Sequence, residues 1–68
     1  MGFILIFDIP ETEAVEKVRI NRELHRKNAT LVQNSVWKHE NLEELVNFAI
    51  RIRNLGGKAS ILEEKFVF

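Results

Sequence analysis

The 68-residue chain has no cysteine, no tyrosine and a single proline. Without cysteine, disulfides and thiolate zinc sites are excluded, and a reducing cytoplasm is the expected location. Its two histidines have no thiol nearby and form no structural metal pattern. Long hydrophobic runs are also missing. The opening stretch MGFILIFDIPE stops being apolar at Asp8 and carries no base before it, too short for a signal peptide or a membrane span. No membrane partner is therefore expected. Net charge is absent too: ten basic residues balance ten acidic ones, and a zero sum by itself speaks against a nucleic-acid binder.

The balance conceals a segregation. Residues 1–16 carry Asp8, Glu11, Glu13 and Glu16 with no base, whereas residues 17–27 carry Lys17, Arg19, Arg22, Arg26 and Lys27 against Glu23 alone. Half of the positive charge thus lies in one short segment, a candidate binding face. Size matters as well. A domain of about 60 residues buries only roughly 60% of its unfolded surface. Small domains gain stability from disulfides, metals or oligomerisation, and oligomerisation is the route left open here. Residues 1–68 read as one domain, with no internal repeat, linker or low-complexity tract.

Phe3–Ile9 reads as a strand, short, β-branched and aromatic-rich, bounded by Gly2 and Pro10. Thr12 is an expected N-cap, followed by a helix to about Lys27 with Asn28 as a left-handed stop. On that helix Ala14, Val18, Ile20 and Leu24 are expected to share a face, with Arg19, Arg22 and Arg26 opposite. ATLVQNSVWKHE is β-like, and QNS within it is either a bulge in one bent strand or a turn between two. Asn41 with Glu44 resembles a capping box. Leu42, Leu45, Val46, Ala49 and Ile52 then form a second helical stripe, stopped at Gly56-Gly57. KASILEEKFVF closes the chain as a strand. The order β-α-β-β-α-β is the split βαβ, ferredoxin-like α+β pattern, with two helices on one face of an antiparallel sheet.

Both sides of the first strand are apolar: Phe3, Leu5 and Phe7 on one, Ile4 and Ile6 on the other. Helices on one face leave the other uncovered, and a second copy packed sheet against sheet is the expected cover. The other cover considered is a loop or a different protein. In the homodimer, Phe3, Leu5, Phe7 and Trp37 are expected to build the interface.

ILIFDIPE, a helix carrying KVRINREL and ATLVQNSVW together resemble the CRISPR-associated Cas-two family over residues 3–37, half of the chain. Members open with an apolar strand ending in an aromatic residue, Asp and Ile, and later read roughly Val/Ile-Gln-x-Ser-Val-Phe. The resemblance implies a dimeric nucleic-acid-binding component of spacer acquisition, bridging Cas-one-type integrase subunits and gripping duplex DNA. It places Asp8 where the family has an axial aspartate proposed to bind a divalent metal such as Mg²⁺ for phosphodiester cleavage, the catalytic and metal candidate. Arg19 stands at a helix arginine implicated in that site, and Ser35 and Trp37 stand near the family's subunit contact. Lys38-His39 departs from the usual acidic-Gly pair, and the chain ends before the C-terminal extension of many members. QNSVW is closer to the Cas-two-like domain of phenylacetate-type transcriptional repressors.

The chemistry divides accordingly. Two axial aspartates could share a cation, the endonuclease reading for RNA or DNA. Against it, Asp8 could simply accept hydrogen bonds from the first helix, the favoured reading because no second acidic motif accompanies it. Arg19, Arg22 and Arg26 either contact nucleic-acid phosphates, doubled by twofold symmetry, or form a solvated face paired with Glu16 and Glu23. A regulatory or protein-interaction module without catalysis is the remaining class. His25 and His39 read as surface or partly packed groups, Trp37 as a packing anchor. Ser35 has no base beside it.

Overall fold

The computed structural model describes residues 2–65. Strand β1 is Phe3–Asp8, helix α1 Ala14–Arg26, strands β2 and β3 are Thr30–Gln33 and Val36–His39, helix α2 is Leu42–Asn54 and strand β4 is Lys58–Glu63. The sheet runs β2-β3-β1-β4 with every neighbouring pair antiparallel. β3 is inserted between β1 and β2, and β1 between β3 and β4, so both crossovers are split. This is the ferredoxin-like arrangement expected from the element order. Phe66–Phe68, part of the expected closing strand, lie outside the described residues.

Local chemistry accounts for the boundaries. Pro10 leads into a short 3₁₀ turn at Glu11–Glu13, and α1 begins only at Ala14, with no side-chain cap. The expected Thr12 cap is corrected accordingly: the 3₁₀ turn takes its place, the Glu13 amide donating to the Pro10 carbonyl at 2.8 Å. At the far end Asn28 takes φ 66°, and the Ala29 amide reaches back to the Leu24 carbonyl at 3.0 Å, a left-handed helix stop. The QNS alternatives resolve into two strands joined through Asn34-Ser35, with Ser35 at φ 60°. A register irregularity between Leu31 and Gln33 switches which side of β2 faces the helices. Asn41 caps α2, its side-chain oxygen accepting from the Glu44 amide at 3.2 Å. Gly57 has no room for a side chain: a Cβ there would lie 2.4 Å from the Asp8 carbonyl oxygen.

One core joins the helices to one sheet face. It contains Leu5, Phe7, Ile20, Leu24, Trp37, Leu45, Phe48, Ile52 and Ala59. This corrects two sets of expectations. Ala14 and Val18 are exposed, because α1 turns only its Ile20 and Leu24 edge inward, and Phe48 joins the α2 stripe in the core. Leu5, Phe7 and Trp37, expected at a dimer interface, are 0%, 5% and 2% exposed inside the chain's own core. Phe3 packs against the same cluster. Cross-strand pairing explains the placement, since Leu5 stands opposite both Trp37 and Ile61. These side chains are spent on folding a single copy and are not available to a second one. The side left open carries Ile4, Ile6, Val36 and Leu62, set in register among Lys38, Ser60 and Lys58.

Candidate nucleic-acid interface

Helix α1 separates its charges by function. At 100° per residue its buried edge is centred on Ile20 and Leu24, and Arg19, Arg22 and Arg26 fall on the far side; all three are exposed. The acids between them face sideways toward α2. The guanidinium of Arg51 on α2 reaches Glu23 at 2.6 Å and Glu16 at 3.7 Å. The Arg51 hydrogen bond holds the Glu23 carboxyl below its usual range, helped by the positive field of Arg51, Arg26 and Arg19. The same hydrogen bond holds Arg51 firmly in its charged form.

The consequence is a cationic face with little internal neutralisation. Arg19 keeps a local partner, Glu16, at 3.0 Å. Arg22 and Arg26 make no ion pair among the described residues. Of the two readings weighed for this face, pairing with Glu16 and Glu23 describes only Arg19. Flexible, solvated guanidiniums spaced along one helix can meet successive phosphates, which need charge and a bidentate donor more than a pocket.

Asp8 lies elsewhere. It ends β1 on the open side of the sheet, exposed, opposite Lys58 on β4. No hydrogen bond from its side chain is found among the described residues, so the helix-anchoring role favoured for it is corrected. The donor set for a metal is equally thin. A hard divalent cation wants several oxygen ligands, and no group of three His, Asp or Glu residues gathers among the described residues. One carboxylate beside a lysine does not fit Mg²⁺ within a single copy, and no catalytic step is derived through one. Asp8 and the arginines are thus separate features, on the sheet and on α1.

The remaining candidates are structural. Ser35 occupies the left-handed position of the β2–β3 turn, and its carbonyl accepts from the Phe7 amide at 3.0 Å. Trp37 is packed in the core, with the His25 ring edge-to-face upon it at 5.1 Å. His39 joins the ends of both helices. Its Nδ1 accepts from the Asn41 amide at 2.8 Å, and its Nε2 lies 2.6 Å from the Lys27 carbonyl. With Nδ1 accepting from that amide, Nε2 is the nitrogen that donates to the Lys27 carbonyl, so both ring nitrogens are engaged with the backbone. Next to it a hollow of about 390 Å³ is lined by Lys27, Asn28, Thr30, Lys38, His39 and Glu40. Its lysines already face Glu44 at 3.5 Å and Glu64 at 3.0 Å. The Lys38 hydrogen bond also lowers the Glu64 carboxyl from its ordinary value.

Sequence reasoning missed Arg51, and it read His39 as surface or partly packed, which the structure bears out, without its backbone partners. Arg51 carried a readable signal: Glu16 and Glu23 are seven apart on one flank of α1, and Arg51 lies on the flank of α2 that must face them. His39 carried none, because its partners are backbone groups. No protein-family model matches the chain, and comparison with curated proteins and with solved structures returns no match either. Within the described residues, no helix is long and apolar enough to cross a membrane.

Proposed function

We propose that this chain is a nucleic-acid-binding module of the Cas-two type, working as a homodimer and holding a duplex by its phosphate backbone through the outward face of α1. The observation that carries the reading is the division of labour on that helix. Glu23 turns to Arg51, Glu16 is shared between Arg51 and Arg19, and Arg22 and Arg26 are left exposed without an ion pair among the described residues. Such a face is sequence-independent by its chemistry, and a second copy would double it. The role in CRISPR spacer acquisition, next to an integrase, rests on the resemblance in ILIFDIPE and ATLVQNSVW and on the element order that goes with it.

Fluorescence anisotropy with labelled duplex DNA and duplex RNA, titrated across salt, tests the proposal. The wild type binds at low salt, and log affinity falls linearly with log salt by about 0.9 per phosphate contact. Arg22→Ala with Arg26→Ala lowers affinity for all sequences alike and makes that slope shallower by roughly two. An absence of binding at low salt, or a double variant with the wild-type slope, removes the arginine face from the function. Genomic adjacency to a repeat-spacer array is the corresponding check on the pathway.

A further inference from the structure

Glu23 stands within reach of cations on two helices. On α1 itself, Arg19 lies four residues before it and Arg26 three residues after, the spacings at which side chains of one helix meet. On α2 stands Arg51. The carboxylate goes to Arg51, at 2.6 Å. That hydrogen bond, with the fields of Arg51, Arg26 and Arg19, holds the carboxyl below its ordinary value. Glu16 is divided between the same two directions. One of its oxygens accepts from Arg19 at 3.0 Å and the other faces Arg51 at 3.7 Å.

Arg51 is built to keep these acids where they are. It lies in the last turn of α2, directly before Ile52, which is fully buried, so its stem hangs from a helix that cannot shift without opening the core. The Arg51 side chain is 33% exposed and that of Glu23 34%. Partial burial and a charge-assisted hydrogen bond make this pair stronger than the solvated pairs that α1 could form alone. The Glu23 carboxylate is therefore drawn to the α2 flank, away from the outward arginines. Arg53 on the same helix is no substitute. It turns to the other flank, where it donates to the Ala59 carbonyl at 3.0 Å.

We infer that Arg51 is a positioning residue for the cationic face: it touches no phosphate itself, and by holding Glu23 against α2 it keeps that carboxylate from neutralising Arg26 and Arg19. Without the Arg51 guanidinium, those two are the cations left to Glu23 at helical spacing. A carboxylate turned toward them competes with phosphate for the same guanidinium and repels the phosphate it displaces. Arg22 has no acid three or four residues away on α1, so its contact survives and the loss is partial. Nucleic-acid affinity is thus set in part from a neighbouring helix that lies outside the contact. This inference rests on the phosphate-binding role proposed for α1 and names the residue that tunes that same site.

Anisotropy titrations with labelled duplex DNA across salt read the effect, each variant being compared at a temperature where circular dichroism shows it folded. Arg51→Gln is expected to weaken binding roughly fivefold at moderate salt and to make the slope of log affinity against log salt shallower by about 0.9, the share of one phosphate contact. Arg51→Lys keeps a cation beside Glu23 and stays close to wild type. Arg53→Gln removes the same charge from the same helix while leaving Glu23 held, and its affinity matches wild type, which separates the held carboxylate from a change in net charge. Glu23→Gln recovers binding in the Arg51→Gln background and raises affinity more there than in wild type, a coupling that a purely structural loss does not produce. A wild type that binds no duplex at low salt removes the phosphate-binding face, and this inference with it. A wild type that binds and weakens with Arg22→Ala and Arg26→Ala, while Arg51→Gln leaves affinity and slope unchanged, overturns the role of Arg51 alone. So does an Arg53→Gln variant that weakens binding as much as Arg51→Gln.

Discussion

Strand β1 offers the same apolar chemistry on its two sides, and the two sides meet opposite fates. Leu5 and Phe7 are sealed under α1 and α2, whereas Ile6, between them in sequence, is 40% exposed. What differs is the company each keeps across the strands. Leu5 has Trp37 and Ile61 as neighbours, and Ile6 has Val36 and Ser60, with Lys38 and Lys58 further along the same face. Hydropathy of one strand records only a tendency to leave water; the strands paired with it decide which side achieves that. The difference also bears on assembly. An open face whose apolar residues alternate with lysines and a serine is tolerable in water.

Breaking the buried side has the largest expected effect. Leu5→Ala removes a fully enclosed side chain at the centre of the sheet, between both helices. The cost is about 3 kcal/mol, from lost transfer energy plus the cavity left behind. In a domain this small that is much of the total stability. Urea unfolding followed by Trp37 fluorescence measures it, and a loss under about 1 kcal/mol would mean that the helices do not seal this side.

The comparison also shows how much could be read in advance. Element order, the Asn41 cap, the Asn28 stop and the Gly56-Gly57 break were legible because each rests on residues near one another in the chain. The outward position of Arg19, Arg22 and Arg26 was legible from helical periodicity alone. The burial of Trp37 and Leu5 within one copy was not. It depends on β1 pairing with both β3 and β4, and strand alternation gives two faces without saying which one receives the helices. The β2 irregularity added a further obstacle, since alternation carried through Leu31 and Gln33 assigns one of them to the wrong side. For Asp8, the resemblance to the Cas-two family suggested a metal, and only the fold shows Lys58 standing opposite.

A middle-sized effect comes from the contact between the helices. Arg51→Gln removes the guanidinium shared by Glu16 and Glu23 and costs about 1 kcal/mol at neutral pH, the upper end for a partly exposed network. The pH dependence has a definite sign. The Arg51 hydrogen bond holds the folded-state Glu23 carboxyl below its ordinary value of 4.5. The unfolded chain therefore binds the proton more readily, and the pair's contribution is fully present above that pH. It is lost as pH falls below 4.5 and through the lowered folded value. Wild type and variant should accordingly differ most at pH 7 and converge under acid. A gap that stays constant on acidification would place the stabilisation in the packing of the Arg51 stem instead of its charge.

The smallest effect belongs to the exposed side of β1. Ile6→Thr keeps the β-branch that suits a strand and places a hydroxyl where solvent already reaches. Stability should change by no more than about 0.5 kcal/mol, roughly a sixth of the Leu5→Ala cost on the other face of the same strand. The oligomeric state should not change if this face stays solvated in the homodimer of the proposed function. Two measurements on the same sample therefore sharpen the contrast between the sides: unfolding at low protein concentration, and sedimentation at high concentration. If Ile6→Thr dissociates the dimer while leaving the dilute monomer intact, the open face is the contact and the two sides of β1 are both buried, one by the chain and one by its copy. If neither quantity moves, the face is solvated in the assembled protein, and the apolar residues on it serve strand formation alone.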